Sequence, residues 1–335
     1  KKSGTTNPKA YDLLQRARME SMKYTRESSQ RAVAMFEDAI QADPNYADAY
    51  VGLADAYTQK VGTSIDYPLE SYPKAIAALK TALKINPNHA AALAKSSHFA
   101  MVFEWDIPEA KQLIAKANEI NPLNPDVIIH DVEMLMRSGT YDLATEKIKK
   151  ALKNDPKSSM LLMYLIGSYQ AQGLIEMADD FAIQLLKFSP YAQYPIHLRS
   201  IALSKRKKFA EAETMLKEAI AADDNNPVSV MSLGVVYWKQ NKKEEALELL
   251  TELLNEAHFS YIKSDIIIRF YAAMGDEENA LKWIERAIEL REPGVFYLSW
   301  GSSLTDHLLQ DERAKKLYED AGIADLLPDK TPSNN

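Results

Sequence analysis

Apolar and small residues recur along this chain at helical spacing. In the stretch DPNYADAYVGLADAY, Asp43 to Tyr57, residues Tyr50, Leu53, Ala54 and Tyr57 fall at i, i+3, i+4 and i+7. That spacing puts them on one stripe of a helix. The pattern then returns. The segments QADPNYADAY, KINPNHAAAL, EINPLNPDVI, KNDPKSSMLL and KFSPYAQYPI align on Pro44, Pro87, Pro122, Pro156 and Pro190, at successive intervals of 43, 35, 34 and 34. An alanine lies twelve residues before each proline, at Ala32, Ala75, Ala110, Ala144 and Ala178. A second lies five before it at Ala39, Ala82, Ala117 and Ala151. Beyond Pro190 the proline is lost, while Ala212 and Ala219, Leu233, Gly234, Tyr237 and Ala246, then Tyr271, Gly275, Ala280 and Ala287 carry the pattern on. A self-similar period of this length is the mark of a repeat architecture.

The period of about 34 residues, with small residues at set places, resembles the tetratricopeptide repeat family across about eight units and nearly the whole chain. The resemblance implies an all-α fold, a right-handed superhelical solenoid of antiparallel helix pairs, here termed A and B, ending in a capping helix near Asp311 to Ala321. Alanines such as Ala54 and Ala75 then sit where A meets B, and Tyr50 and Tyr57 fill the space between units. Each proline ends a B helix and turns the chain. No unit buries its stripe alone, so stability comes from stacking.

The expected organisation is a single array over 1–335. It comprises a slightly long first repeat (1–44), a repeat with an inserted loop (45–87), further repeats (88–290), a C-terminal cap (291–326) and a polar tail (327–335). The insertion, around 58–74, makes the second repeat nine residues longer than the period. It is expected as a lengthened helix plus a surface turn, and loops on one face of a repeat protein often carry function.

Three stretches are similar to a narrower group. They are the N-terminal NPKAYDLLQRARMESMKYTRESSQRAVAMFEDAIQADP, then FEWDIPEAKQLIAKANEINP with Trp105 and Asp106, and the C-terminal REPGVFYLSWGSSLTDHLLQDERAKKLYEDAGI. Together they resemble the C-terminal repeat region of multidomain bacterial signalling and transcription regulators. In those proteins the repeats follow a winged-helix, cyclase or kinase domain, often with a TolB-like segment between. His307 departs from that group, which usually has proline there. The resemblance implies a cytoplasmic or periplasmic region of a larger bacterial protein.

Composition narrows the chemistry. The chain carries a formal charge of −7, which gives little support for binding nucleic acid through its phosphates. It has no cysteine, so disulfides, thiolate metal sites and cysteine nucleophiles are excluded. No apolar run approaches the roughly 20 residues that span a bilayer. The histidines His89, His98, His130, His197, His258 and His307 form no His-x-x-x-His pair, and no glycine-rich phosphate loop occurs. The Ser-x-x-Lys matches at Ser260–Lys263 and Ser204–Lys207 lack the companion motifs of a catalytic serine. No enzyme, metal or cofactor is therefore expected. The acid pairs Asp223–Asp224 and Glu244–Glu245 read as turn or helix-start residues. The compact basic run Lys205 to Lys208 reads as a solvated turn between helices.

Function is expected on the groove lined by the A helices, as the family resemblance implies. Groove positions include Asp48, Val51, Asp55, Asp126, Asp265 and Arg269. Val51, Asp55, Ile129 and Glu133 stand where chaperone-binding repeats carry a Lys and Asn clamp for a carboxylate, so that clamp is absent. The candidate partner-binding residues are Met101, Ile129, Glu133, Met136, Met160, Met163, Tyr194, His197, Met231 and Trp238. Methionine suits varied partners and aromatics anchor peptides. The same residues could instead pack neighbouring A helices or lie under the array's own tail. The expected partner is a protein or peptide segment, or a small effector, bound by a non-catalytic interaction module. The alternative is a free-standing scaffold for assembling a multiprotein complex. The oligomeric state is left open.

Overall fold

The structure, a computed structural model, describes residues 4–23, 25–190, 192–222, 226–298 and 305–327. The expected polar tail beyond residue 327 and the Asp223–Asp224 pair lie outside them. The described residues are all-α, arranged as successive A/B pairs. The pairs are α1 Pro8–Ser21 with α2 Arg26–Ala42, and α3 Ala47–Gly62 with α4 Pro68–Ile85. Next come α5 Ala90–Phe99 with α6 Ile107–Ile120, and α7 Pro125–Arg137 with α8 Tyr141–Leu152. Then α9 Ser159–Ala171 pairs with α10 Ile175–Leu186, and α11 Gln193–Lys205 with α12 Phe209–Ala222. Last are α13 Pro227–Lys239 with α14 Lys243–Phe259, and α15 Ser264–Met274 with α16 Glu277–Glu289. Three short helices follow: α17 Gly294–Tyr297, α18 Asp306–Gln310 and α19 Glu312–Asp320. The chain divides into two compact units, Lys1–Asp131 and Val132–Asn335.

Two kinds of turn set the pairs. From B to A, the residue before the proline does the work. The carboxylate of Asp43 accepts from the Asn45 N–H at 3.0 Å, and the Asn86 and Asn121 side chains accept from Asn88 and Leu123 at 3.1 and 3.3 Å. The carbonyls of the same three residues accept from Tyr46, His89 and Asn124, each at 3.1 Å. Proline at the next position supplies the φ such a turn needs. From A to B, one residue takes a left-handed conformation. It is Trp105, Gly139, Gly173, Lys207, Asn241 and Gly275, at intervals of 34. At the last five of these sites the following N–H reaches back to the helix, as Thr140 does to Leu135 at 3.0 Å and Lys208 to Leu203 at 2.9 Å. This satisfies a carbonyl that the helix end would leave open. At Trp105 the loop is one residue wider. Ala100–Glu104 form a π-helical turn, and Asp106 N–H reaches Ala100 at 2.7 Å.

Close helix contact is what the period enforces. Ala32, Ala75, Ala110, Ala144, Ala178, Ala212, Ala246 and Ala280 are all fully buried. Ala314, one further period along, is buried too, so α19 takes the place of one more B helix and caps the stack. Asp311 caps α19 by accepting from Arg313 N–H at 2.8 Å, and Tyr318 Oη donates to the Val295 carbonyl at 3.0 Å. Gly52 and Gly234 serve the same closeness. A Cβ on either would lie 2.2 Å from the buried Phe36 ring or 2.0 Å from the buried Phe270 ring.

The insertion at 58–74 is mostly helix. It lengthens α3 to Gly62 and starts α4 at Pro68, leaving only the turn between them. Lys60 pairs with Asp66 at 2.6 Å, Ser71 Oγ donates to Asp66 at 2.6 Å, and Arg26 donates to the Thr63 and Ser64 carbonyls at 3.2 and 3.0 Å.

Glu292 anchors the start of α15 from a buried position. It accepts from Ser264 N–H at 2.7 Å, Ser264 Oγ at 3.0 Å and Arg286 Nη1 at 3.2 Å. Burial outweighs these donors and pushes its carboxyl up to about 7.

Ala144→Leu and Ala280→Leu each overfill an A/B contact and are expected to cost about 1–3 kcal/mol. Denaturant titration of both variants checks the register, and unchanged midpoints for both would refute it. Lys207→Gly removes the cost of a side chain in the left-handed region and should stabilise by roughly 0.5–1 kcal/mol in the same assay. Because the folded pKa of Glu292 lies above its ordinary 4.5, its contribution is complete below about 4.5 and is lost as pH rises to about 7. Glu292→Gln should flatten that part of the stability–pH curve, read from urea midpoints across the window.

Candidate functional site

In the first unit the inner positions of the A helices carry alternating charge. Asp48 on α3 meets His89 Nε2 at 3.1 Å, with Arg18 of α1 at 3.9 Å. The His89 hydrogen bond holds Asp48 below its ordinary value. Lys95 on α5 lies between two carboxylates, 2.8 Å from Asp55 and 2.7 Å from Asp126. Burial opposes the Lys95 charge, but the two carboxylates outweigh it and keep the ammonium charged. Burial raises Asp126 as well, and Lys95 more than offsets this, whereas at Asp55 burial prevails and raises the carboxyl. Asp48, Asp55 and Asp126 are therefore tied to cations rather than presented as bare acids. Of the candidate residues here, Met101 is buried in the π-helical turn and Ile129 is half-buried. The His98 and His130 rings lie 5.0 Å apart.

In the second unit the chain's own C-terminal segment returns to the first helix. Glu133 is buried, accepts a hydrogen bond from Tyr164 Oη of α9, and accepts a second from Tyr297 Oη of α17 at 3.3 Å. Burial, with Glu133 beside it, pushes the Tyr164 hydroxyl well up and keeps it protonated as a donor. Arg137 lies over the Phe296 ring at 5.8 Å and donates to the Asp325 carbonyl. Nothing in the repeat period announces these contacts, because they join residues 164 and 188 positions apart.

The remaining candidates fall into two sets. Met136, His197 and Met231 are buried with Glu133. Met136 and Tyr194 both approach Gly167, where a Cβ would lie 3.6 Å from Met136 Cε and 3.4 Å from Tyr194 Oη. Tyr194 donates to Gln170 Oε1 at 2.6 Å, and burial raises its hydroxyl to about 12. His197 Nδ1 lies 2.8 Å from Ser232 Oγ. Burial first, then Arg269 and Lys239, lower His197 to about 3, so the imidazole is neutral. Met160 is 45% exposed, and Met163 and Trp238 are half-buried. Lys243 Nζ sits 5.2 Å from the Trp238 ring, so that aromatic edge is already braced by a cation.

The basic run at 205–208 is partly structural. Arg206 binds Asp179 at 2.9 Å and also pairs with Glu176, holding α11 to α10 of the preceding pair. Asp179 is fully buried, so the arginine neutralises a carboxylate that water cannot reach. Lys208 pairs with Glu211 at 2.9 Å. Among the described residues no helix is long and apolar enough to cross a membrane.

Family models described as tetratricopeptide repeat match residues 23–90, 203–264 and 269–293. A curated relative, the TPR repeat-containing protein YpiA of Bacillus subtilis, is 26% identical over 240 residues, which is 70% of this chain. The chain spans 55% of that relative's length. Among solved structures, the human IFIT1 dimer with PPP-AAAA is similar with a TM-score of 0.62 at 18% identity, covering 88% of this chain and 68% of that one. At that identity the likeness concerns the fold. YrrB, described as a TPR protein with an unusual peptide-binding site, is similar at a TM-score of 0.37 and 16% identity over 58% of this chain and 95% of its own. Tetratricopeptide repeats are recognised over those three stretches, and the fold is an all-α superhelical repeat solenoid.

Proposed function

We propose that this chain is a non-catalytic interaction module. It binds a polypeptide segment with apolar side chains along the A helices of its second unit, as the partner-binding or sensing region of a larger bacterial signalling or transcription regulator. The observation that carries this reading is the apolar surface left accessible on successive A helices. Met160 is 45% exposed on α9, and Met163, Tyr194 and Trp238 are half-buried on α9, α11 and α13. Methionine adapts to varied partners, and a rigid tryptophan braced at one edge makes a low-entropy anchor. The buried members of the candidate set, Glu133, Met136, His197 and Met231, shape this surface from beneath. Support for the regulator setting comes from the three stretches around 7–44, 103–122 and 291–323.

Burial rather than charge supplies most of the affinity in this reading, so binding should vary only mildly with salt. Trp238→Ala should weaken a captured partner by about 2 kcal/mol or more with the helical content unchanged, while Lys207→Glu should leave affinity near that of the parent chain. Calorimetric titration of the parent and both variants with that partner checks this. Loss of binding in Lys207→Glu with retention in Trp238→Ala would move the site to the basic turn.

A further inference from the structure

Lys205 and Lys239 at the ends of α11 and α13, and Arg269 within α15, bring three cations to successive A helices of a chain whose net charge is −7. Lys205 and Lys239 close α11 and α13 and stand one period apart, at the same place in successive repeats. Among the described residues neither has a carboxylate within ion-pair distance. Both are exposed, and Lys239 nonetheless feels burial and then Lys205, which together lower its ammonium pKa. The Arg269 side chain of α15 is 14% exposed and pairs loosely with Asp265 at 3.6 Å. Helix C-termini favour cations on their own account. That explains why Lys205 and Lys239 are tolerated, but not what lies between α11 and α13.

There His197 is 5% exposed. The Ser232 hydroxyl donates to the Val228 carbonyl at 2.7 Å, so at its 2.8 Å contact with His197 Nδ1 the serine oxygen accepts. The proton of the neutral ring is therefore on Nδ1, and Nε2 carries a lone pair. Among the described residues Nε2 has no hydrogen-bond partner. A buried acceptor left open in this way costs free energy unless something donates to it. The groups that bear on it are Arg269 and Lys239, both cationic, and neither lies within hydrogen-bonding distance.

We propose that Lys239, Arg269 and His197 form a site for a phosphoryl anion that retains one hydroxyl. Lys239 and Arg269 pair with its charged oxygens, Lys205 adds to the field, and the P–OH donates to His197 Nε2. A carboxylate or a sulfate brings charge but no donor and leaves Nε2 open. Arginine and lysine both suit phosphate, and the arginine adds directional N–H groups. The site needs no polypeptide partner, so its failure would leave the proposal for the apolar surface standing.

The test is calorimetric titration of the full chain at neutral pH with inorganic phosphate, phosphoserine and sulfate. Parent, Lys239→Gln and Lys316→Gln chains are compared, with helical content checked by circular dichroism. Lys316 lies on α19, paired with Asp320, and serves as the remote control. Expected are saturable phosphate binding, weakening of about tenfold in Lys239→Gln with unchanged helicity, no change in Lys316→Gln, and sulfate weaker than phosphate by about tenfold. Phosphate should bind more tightly than phosphoserine, whose ester dianion at neutral pH keeps no P–OH to donate, and the reverse order would overturn the proposal. Absence of saturable binding by either phosphoryl probe, equal affinity of Lys239→Gln and parent, or equal affinity for sulfate and phosphate would each overturn the proposal.

Discussion

The contact between each A helix and its B helix through an alanine with no exposed surface is the constraint on which the rest depends. A Cβ methyl at Ala144 or Ala280 lets two helices approach closely, and the left-handed turn beforehand delivers the chain at the right place to do so. Both features recur once per period over the later repeats. Once they are met, the positions of other side chains follow by periodicity. Lys205 and Lys239 share a level for that reason, and so do the successive buried alanines. Where the turn changes, the helix must change with it. At Trp105 a bulky residue takes the left-handed place, and the preceding helix widens into a π-helical turn that buries Met101.

In the first unit, charge links neighbouring A helices. Lys95 is shared by Asp55 and Asp126, and His89 is held by Asp48. These pairs fasten one repeat to the next along the inner positions of the first unit. The second unit adds tyrosine links to its Arg206–Asp179 ion pair. Tyr164, Tyr194 and Tyr297 donate to Glu133 or Gln170. The Tyr164 and Tyr194 phenols, raised by burial, stay protonated donors at any physiological pH, so those two donors do not titrate away with modest alkalinisation.

The sequence makes the repeats legible because alanine and proline act locally. Ala110 or Pro122 has one role wherever the unit occurs, and spacing alone reveals it. The candidate surface is less legible, for a physical reason. A residue on the inner side of an A helix can face solvent, a neighbouring A helix, or a distant segment of the same chain. Met136 and Met231 are buried while Met160 is exposed, although all three follow the same rule of position. Tyr297 covering Glu133 depends on how many repeats intervene, which no local pattern encodes. His197 looked like a lining residue from its position. Its open Nε2 emerges only from Ser232, which is 35 residues away and already committed to Val228.

The return of Tyr297 to Glu133 also bears on how this protein can diversify. Repeat arrays ordinarily vary by gaining or losing whole units, since each unit touches only its neighbours. Here the two ends of a five-repeat stretch are bonded across 164 residues. Adding or deleting one helix pair would shift one end by roughly the 8–10 Å that separates packed helices, far beyond what a hydrogen bond spans. Unit 2 therefore has a preferred copy number, and its evolution is channelled into substitution within a set count of repeats.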